Sequence, residues 1–158
     1  ELELGYQDHV PETEEYGISS FVYRSNLPMD AERFNTFLEK HFPASVVRSK
    51  GFVWFAQHSD FSSLMETAGN HVDISPLTYW LAILPKAERM QVLSEDPEIK
   101  ERWHPLYGDR LTEIVFIGID MHQSGIEAAL DLCLVDEAAL QSGLYSKTSP
   151  YPWEASSL

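Results

Sequence analysis

Six histidines, one cysteine and a few cations on a strongly acidic background are the side chains from which any chemistry of this chain must come. His71 stands two residues before Asp73, and Asp120 two before His122, a spacing that on a strand puts both side chains on one face. Each pair offers a metal two ligands. Zinc takes three or four, and no His-x-x-x-His or Cys-x-x-Cys supplies the rest, so no dedicated metal site is expected. The histidines, His9 included, read as surface or turn residues, with His104 in "WHPLYG" capping or packing a turn. Cys133 lies on the apolar stripe of a predicted helix, where a thiol is buried and inert. No Gly-x-x-x-x-Gly-Lys-[Ser/Thr] run, no Gly-x-Gly-x-x-Gly after a strand and no Gly-x-Ser-x-Gly elbow occurs. The residues therefore give no catalytic, cofactor-binding or metal-ligating set.

The cations are more informative. In "RSKGFVWFA" (Arg48 to Ala56), strand alternation aligns Arg48, Lys50, Phe52, Trp54 and Ala56 on one face and Val47, Ser49, Gly51, Val53 and Phe55 on the other. Gly51 leaves room for a bulge or for close approach of another backbone or helix. Two readings of Arg48 and Lys50 stand side by side. They are strand-end cations reaching water and pairing with nearby carboxylates, or they form a ledge beside aromatic surface, suited to an acidic partner. Arg110, in "YGDR", anchors the turn that launches the next strand. Of the four tryptophans, Trp54 is expected to fill a core, and Trp153, in a Pro/Ser-rich tail, to be exposed or to pack on a neighbouring domain.

The elements that must position these side chains follow from the pattern. Ile18–Arg24 reads as a strand. Asp30 caps an amphipathic helix whose Phe34, Phe37, Leu38 and His41 share one face. A strand follows from Val46 to Ala56, and Gly69-Asn70 joins two further strands as a hairpin. Pro85 and Asp96-Pro97 start two short helices. Arg110–Asp120 reads as a central strand covered on both faces. Ile126, Ala129, Leu130, Cys133 and Leu134 form the stripe of another helix, and Asp136 caps a last one. The expected class is α+β, in two layers: a mixed or mostly antiparallel sheet of about five strands, with helices mainly on one face. Residues 1–16 read as linker, 17–145 as the domain and 146–158 as an irregular tail.

Eleven basic against 25 acidic residues give a net charge of −14, which repels nucleic acid and anionic membranes alike. No apolar run is long enough to cross a bilayer as a helix, and a lone cysteine suits a reducing, cytoplasmic setting. An opening at Glu1 within a loose acidic stretch fits a fragment of a longer protein.

"EYGISSFVYRSNLPMDAERF", "VVRSKGFVWFA", "METAGN", "GDRLTEIVFIGID" and "ALDLCLVDEAAL" together resemble the C-terminal domain of the CobW family, GTPase metallochaperones that include zinc-regulated metalloprotein activators. The resemblance runs from about Tyr16 to the end. It implies a preceding P-loop GTPase domain that holds GTP, Mg²⁺ and a metal-binding Cys-x-Cys-Cys motif, none of which is present here. It further implies a non-catalytic interaction or regulatory domain whose partners are its own GTPase domain, a client metalloprotein or a second copy. Arg48, Lys50, Trp54, Arg110 and Trp153 are the candidate contact residues. The rival reading is a domain that binds a small anion or acts as an enzyme, with Arg48, Lys50 and Arg110 converging on a cleft beside Trp54.

Overall fold

The computed structural model describes residues 16–145 and 151–153. Its strands β1 (Ile18–Ser25), β2 (Val46–Phe55), β3 (His58–Ala68), β4 (His71–Tyr79) and β5 (Thr112–Ile119) form one sheet in the order β1-β5-β2-β3-β4. Every pairing is antiparallel. Short turns fold β2, β3 and β4 into a meander, and the Gly69-Asn70 turn works as its sequence requires, with Gly69 at φ 59°. β5 then returns from the helical insert and slots between β1 and β2. The expected α+β class is the observed one.

Helix α1 (Ala31–Lys40) begins where Asp30 accepts a hydrogen bond from the Arg33 amide at 2.9 Å. The same carboxylate accepts from Gln57 Nε2 at 2.8 Å, while Gln57 Oε1 accepts from the Ala31 amide at 3.0 Å. The helix start is thus bolted to the β2–β3 turn. Ala31, Phe34, Phe37 and Leu38 are buried, whereas His41 is exposed, because the helix ends at Lys40 and the apolar stripe ends with it. Helix α2 (Lys86–Glu95) and helix α3 (Pro97–Arg102) make the insert, preceded by a 3₁₀ turn at Leu81–Ile83. Helix α4 (Gln123–Asp131) and helix α5 (Glu137–Gln141) close the domain, α5 capped by Asp136 through the Ala139 amide at 2.7 Å.

The main core lies between the sheet and helices α1 and α4. Phe21, Val53, Phe55, Met65, Ile114 and Phe116 come from the strands, Phe34 and Phe37 from α1, and Ile126 and Leu130 from α4. A second cluster sits on the other face of the sheet, where Trp54, Trp80 and Tyr107 pack with Phe52, Leu27, Ala82 and Leu140. The alternation of β2 explains both: Val53 and Phe55 point to the first core, Phe52 and Trp54 to the second. One detail departs from strict alternation. A register shift between Val46 and Arg48 sends Val46 into the first core and leaves Val47 exposed.

Tyr151 and Trp153 return to the first core. Trp153 stands with its ring 4.8 Å from Phe55 and 6.2 Å from Phe34, and Tyr151 Oη shares a 2.6 Å hydrogen bond with Ser63. The exposure or packing on a neighbouring domain expected of Trp153 gives way to packing on its own domain, since the Phe34 and Phe55 rings offer an apolar seat close by. The linker reading of residues 1–15, and the tail reading of 146–150 and 154–158, lie outside the described residues.

Candidate interaction surface

Strand pairing brings a charged stripe onto the sheet face opposite α1 and α4. Lys50 stands beside Glu66 of β3 on one side and Val115 of β5 on the other, and Glu66 in turn stands beside Asp73 of β4. One rung along, Arg48 lies between Ala68 and Ile117, with His71 beyond Ala68. These residues border a shallow cavity of about 260 Å³. Arg48 and Lys50 are exposed, and neither makes an ion pair or hydrogen bond with a described residue. The surface is therefore bipolar: cations on β2, carboxylates on β3 and β4, and aliphatic side chains of β5 alongside. Towards the β1 edge the same face carries Ile18 and Ile119, 36% and 48% exposed, and the Arg24–Glu113 ion pair at 2.5 Å.

Glu66, Asp73, Val115 and Ile117 were not singled out by sequence reasoning. A signal for the first two existed: a two-residue turn at Gly69-Asn70 pairs Ala68 with His71 and hence Glu66 with Asp73. The β5 residues had none, because nothing in the sequence places β5 beside β2.

The other expected contact residues lie elsewhere. Trp54 is 1% exposed and donates its Nε1 hydrogen to Ser59 Oγ at 2.9 Å, so it supports the sheet from within and does not reach the surface. Arg110 lies over the Trp54 ring, 5.9 Å from its centroid, and donates to the Ser59 carbonyl at 2.7 Å. Burial lowers its guanidinium from the ordinary value, while Asp109 and Asp60 act in the opposite sense. This is the anchoring role read from "YGDR". Asp109 completes the turn by accepting from the Leu81 and Ala82 amides at 2.8 and 3.0 Å. Trp153 is spent on the first core. Arg48, Lys50 and Arg110 thus do not converge, which removes the geometry that the anion-site reading requires.

His71 and Asp73 share the open face, as their spacing predicts. Asp120 and His122 do not form a strand pair, because β5 ends at Ile119 and Asp120 takes a positive φ of 52° in the turn after it. Among the described residues, no group of three or more His, Cys, Asp or Glu side chains is placed to hold a metal. Cys133 is buried, and that burial pushes its thiol up from 9.0 to about 11.

With this geometry in hand, comparison with known proteins gives a consistent result. The family model described as "Cobalamin synthesis protein cobW C-terminal domain" matches residues 18–134. The chain belongs to this family. Among curated proteins, this cobW C-terminal domain is 42% identical over 138 residues to the zinc-regulated GTPase metalloprotein activator 1 of Dictyostelium discoideum. The alignment takes in 85% of the chain but 29% of that protein, so the chain spans under a third of its relative's length. Among solved structures, the Zn(II)-bound YjiA GTPase from E. coli aligns with a TM-score of 0.52 at 18% identity. It covers 75% of the chain and 30% of that protein. A Zn(II)-bound triple mutant of YjiA aligns equally well. At this identity the two structures establish a shared fold. No helix among the described residues is long and apolar enough to cross a membrane.

Proposed function

We propose that this chain is the non-catalytic interaction and regulatory domain of a P-loop GTPase concerned with zinc homeostasis or metal insertion into client proteins. On this reading it works in the cytoplasm, and the parent's GTP, Mg²⁺ and zinc sites belong to an N-terminal GTPase domain. The similarity to a zinc-regulated GTPase metalloprotein activator supports the metal-handling context. The domain's own partner is that GTPase domain, with a client metalloprotein or a second copy as further users of the same surface.

One observation carries the docking role: an uncovered sheet face bearing Arg48 and Lys50 without ion-pair partners among the described residues, next to Glu66 and Asp73. A partner patch that sets acids opposite β2 and bases opposite β3 and β4 complements it, and such complementarity sets encounter rate and orientation. The test is calorimetric titration of this chain with the separately expressed GTPase domain. Reversing both cations, Arg48→Glu with Lys50→Glu, weakens the complex roughly tenfold, since exposed pairs contribute about 0.2–1 kcal/mol each. An unchanged affinity removes the β2 cations from the account.

A further inference from the structure

The second cluster leaves a cleft of about 220 Å³ at its edge, walled by Phe52, Trp80 and Ile99 and lined by Asn26, Arg102, His104, Asp109 and Arg110. Its hydrogen-bonding groups are mostly donors. Trp80 is 6% exposed, and its Nε1–H has no partner among the described residues. His104 Nδ1 accepts from the Leu106 and Tyr107 amides at 3.0 and 3.2 Å, which puts the proton of the neutral ring on Nε2 and makes that nitrogen a donor. Arg110 uses Nε on the Ser59 carbonyl and one terminal nitrogen on the Tyr107 carbonyl, and its other terminal nitrogen remains. Arg102 is exposed and makes no ion pair with a described residue. The carboxylate of the lining, Asp109, already accepts two backbone hydrogen bonds.

We propose that this cleft binds a carboxylate carried on a small apolar body, the apolar part against Phe52, Ile99 and the Trp80 ring, whose Nε1–H is buried within the wall, and the carboxylate among the donors of His104, Arg102 and Arg110. The volume falls below the roughly 300–1,000 Å³ of sites for drug-sized ligands. It suits a single-ring acid, or one side chain with its neighbouring carboxylate. The cleft is separate from the Arg48 and Lys50 stripe, so this inference and the docking reading stand or fall independently.

The test is a titration of the isotope-labelled 158-residue chain followed through the tryptophan indole resonances, with Trp80→Phe identifying the Trp80 signal. Phenylacetate is the free-acid probe, phenylacetamide its uncharged counterpart, and acetyl-Phe-Asp-amide carries the same chemistry on a peptide. Phenylacetate is expected to shift the Trp80 indole signal with a dissociation constant near ~1 mM, as suits a ligand of this size. Phenylacetamide is expected to bind roughly tenfold more weakly, because it forfeits the charge-assisted hydrogen bonds. Arg102→Gln, a change on an exposed helix position, gives a similar loss for phenylacetate. Tighter binding of the peptide assigns the site to a protein segment, and tighter binding of phenylacetate assigns it to a free acid. A Trp80 signal that stays put for both acids up to about 10 mM overturns the proposal. So does equal binding of acid and amide.

Discussion

At the residue scale, the sheet's tightest requirement is Gly51. A Cβ there would stand 2.1 Å from the Glu113 carbonyl oxygen and 2.6 Å from the Ile114 Cα, both in the backbone of the adjoining strand. Neither atom can yield without separating β2 from β5, so Gly51→Ala is expected to cost at least about 3 kcal/mol in urea unfolding. Tyr23 and Cys133 make a pH prediction. Burial, then the 2.7 Å hydrogen bond to Asp131, raises the Tyr23 phenol well above its ordinary value, and burial raises the Cys133 thiol to about 11. A raised pKa in the folded state favours the neutral form. The associated stability is complete below the unfolded values, about 9 for the thiol and about 10 for the phenol, and is lost as the unfolded chain ionises above them. Thermal midpoints should therefore hold at pH 7–8 and fall between about pH 9 and 11, with a shallower fall for Tyr23→Phe. The sequence made some of these roles legible. The missing side chain of Gly51 left a bulge or a close approach open, "YGDR" announced a turn anchor and the bulk of Trp54 announced a core, but the cover over Trp54 comes from an insert far along the chain that the strand itself does not mark.

At the element scale, Asp30 joins the start of α1 to the β2–β3 turn through Arg33 and Gln57. Asp30→Ala removes a helix cap and leaves the buried Gln57 amide short of an acceptor, an expected loss of about 2–4 kcal/mol by chemical denaturation. Local signals such as this cap, the Gly69-Asn70 turn and the Asp96-Pro97 helix start are written in neighbouring residues, and each is found where the sequence puts it. What depends on distant residues is not. The continuous apolar run of β5 predicts cover on both faces, yet Ile119 and half-buried Ile117 lie on the open face, and the run reflects an interior position between β1 and β2. The register shift at Val47 is likewise a product of pairing with β5, for which the β2 sequence alone holds no mark.

At the scale of the whole molecule, helices α1 and α4 bury one sheet face and the insert covers part of the other. The remainder is a mixed stripe of aliphatic and charged residues on a chain of net charge −14. Long-range repulsion favours a partner that is basic overall or held close by a covalent tether, and a tether raises its effective concentration to about the millimolar range. Raising salt from roughly 0.05 to 0.5 M should therefore weaken the complex formed in trans and leave a tethered one almost unchanged. The central claim is that the open face is where the rest of the parent protein sits, and side-chain footprinting by hydroxyl radicals tests it most directly. With the parent protein set against this chain alone, Ile18 and Ile119 should lose reactivity, while Leu132, 76% exposed beyond α4, should keep it. Unchanged labelling of Ile18 and Ile119 together with protection of Leu132 would contradict the account, because it would place the contact on the helical side of the domain.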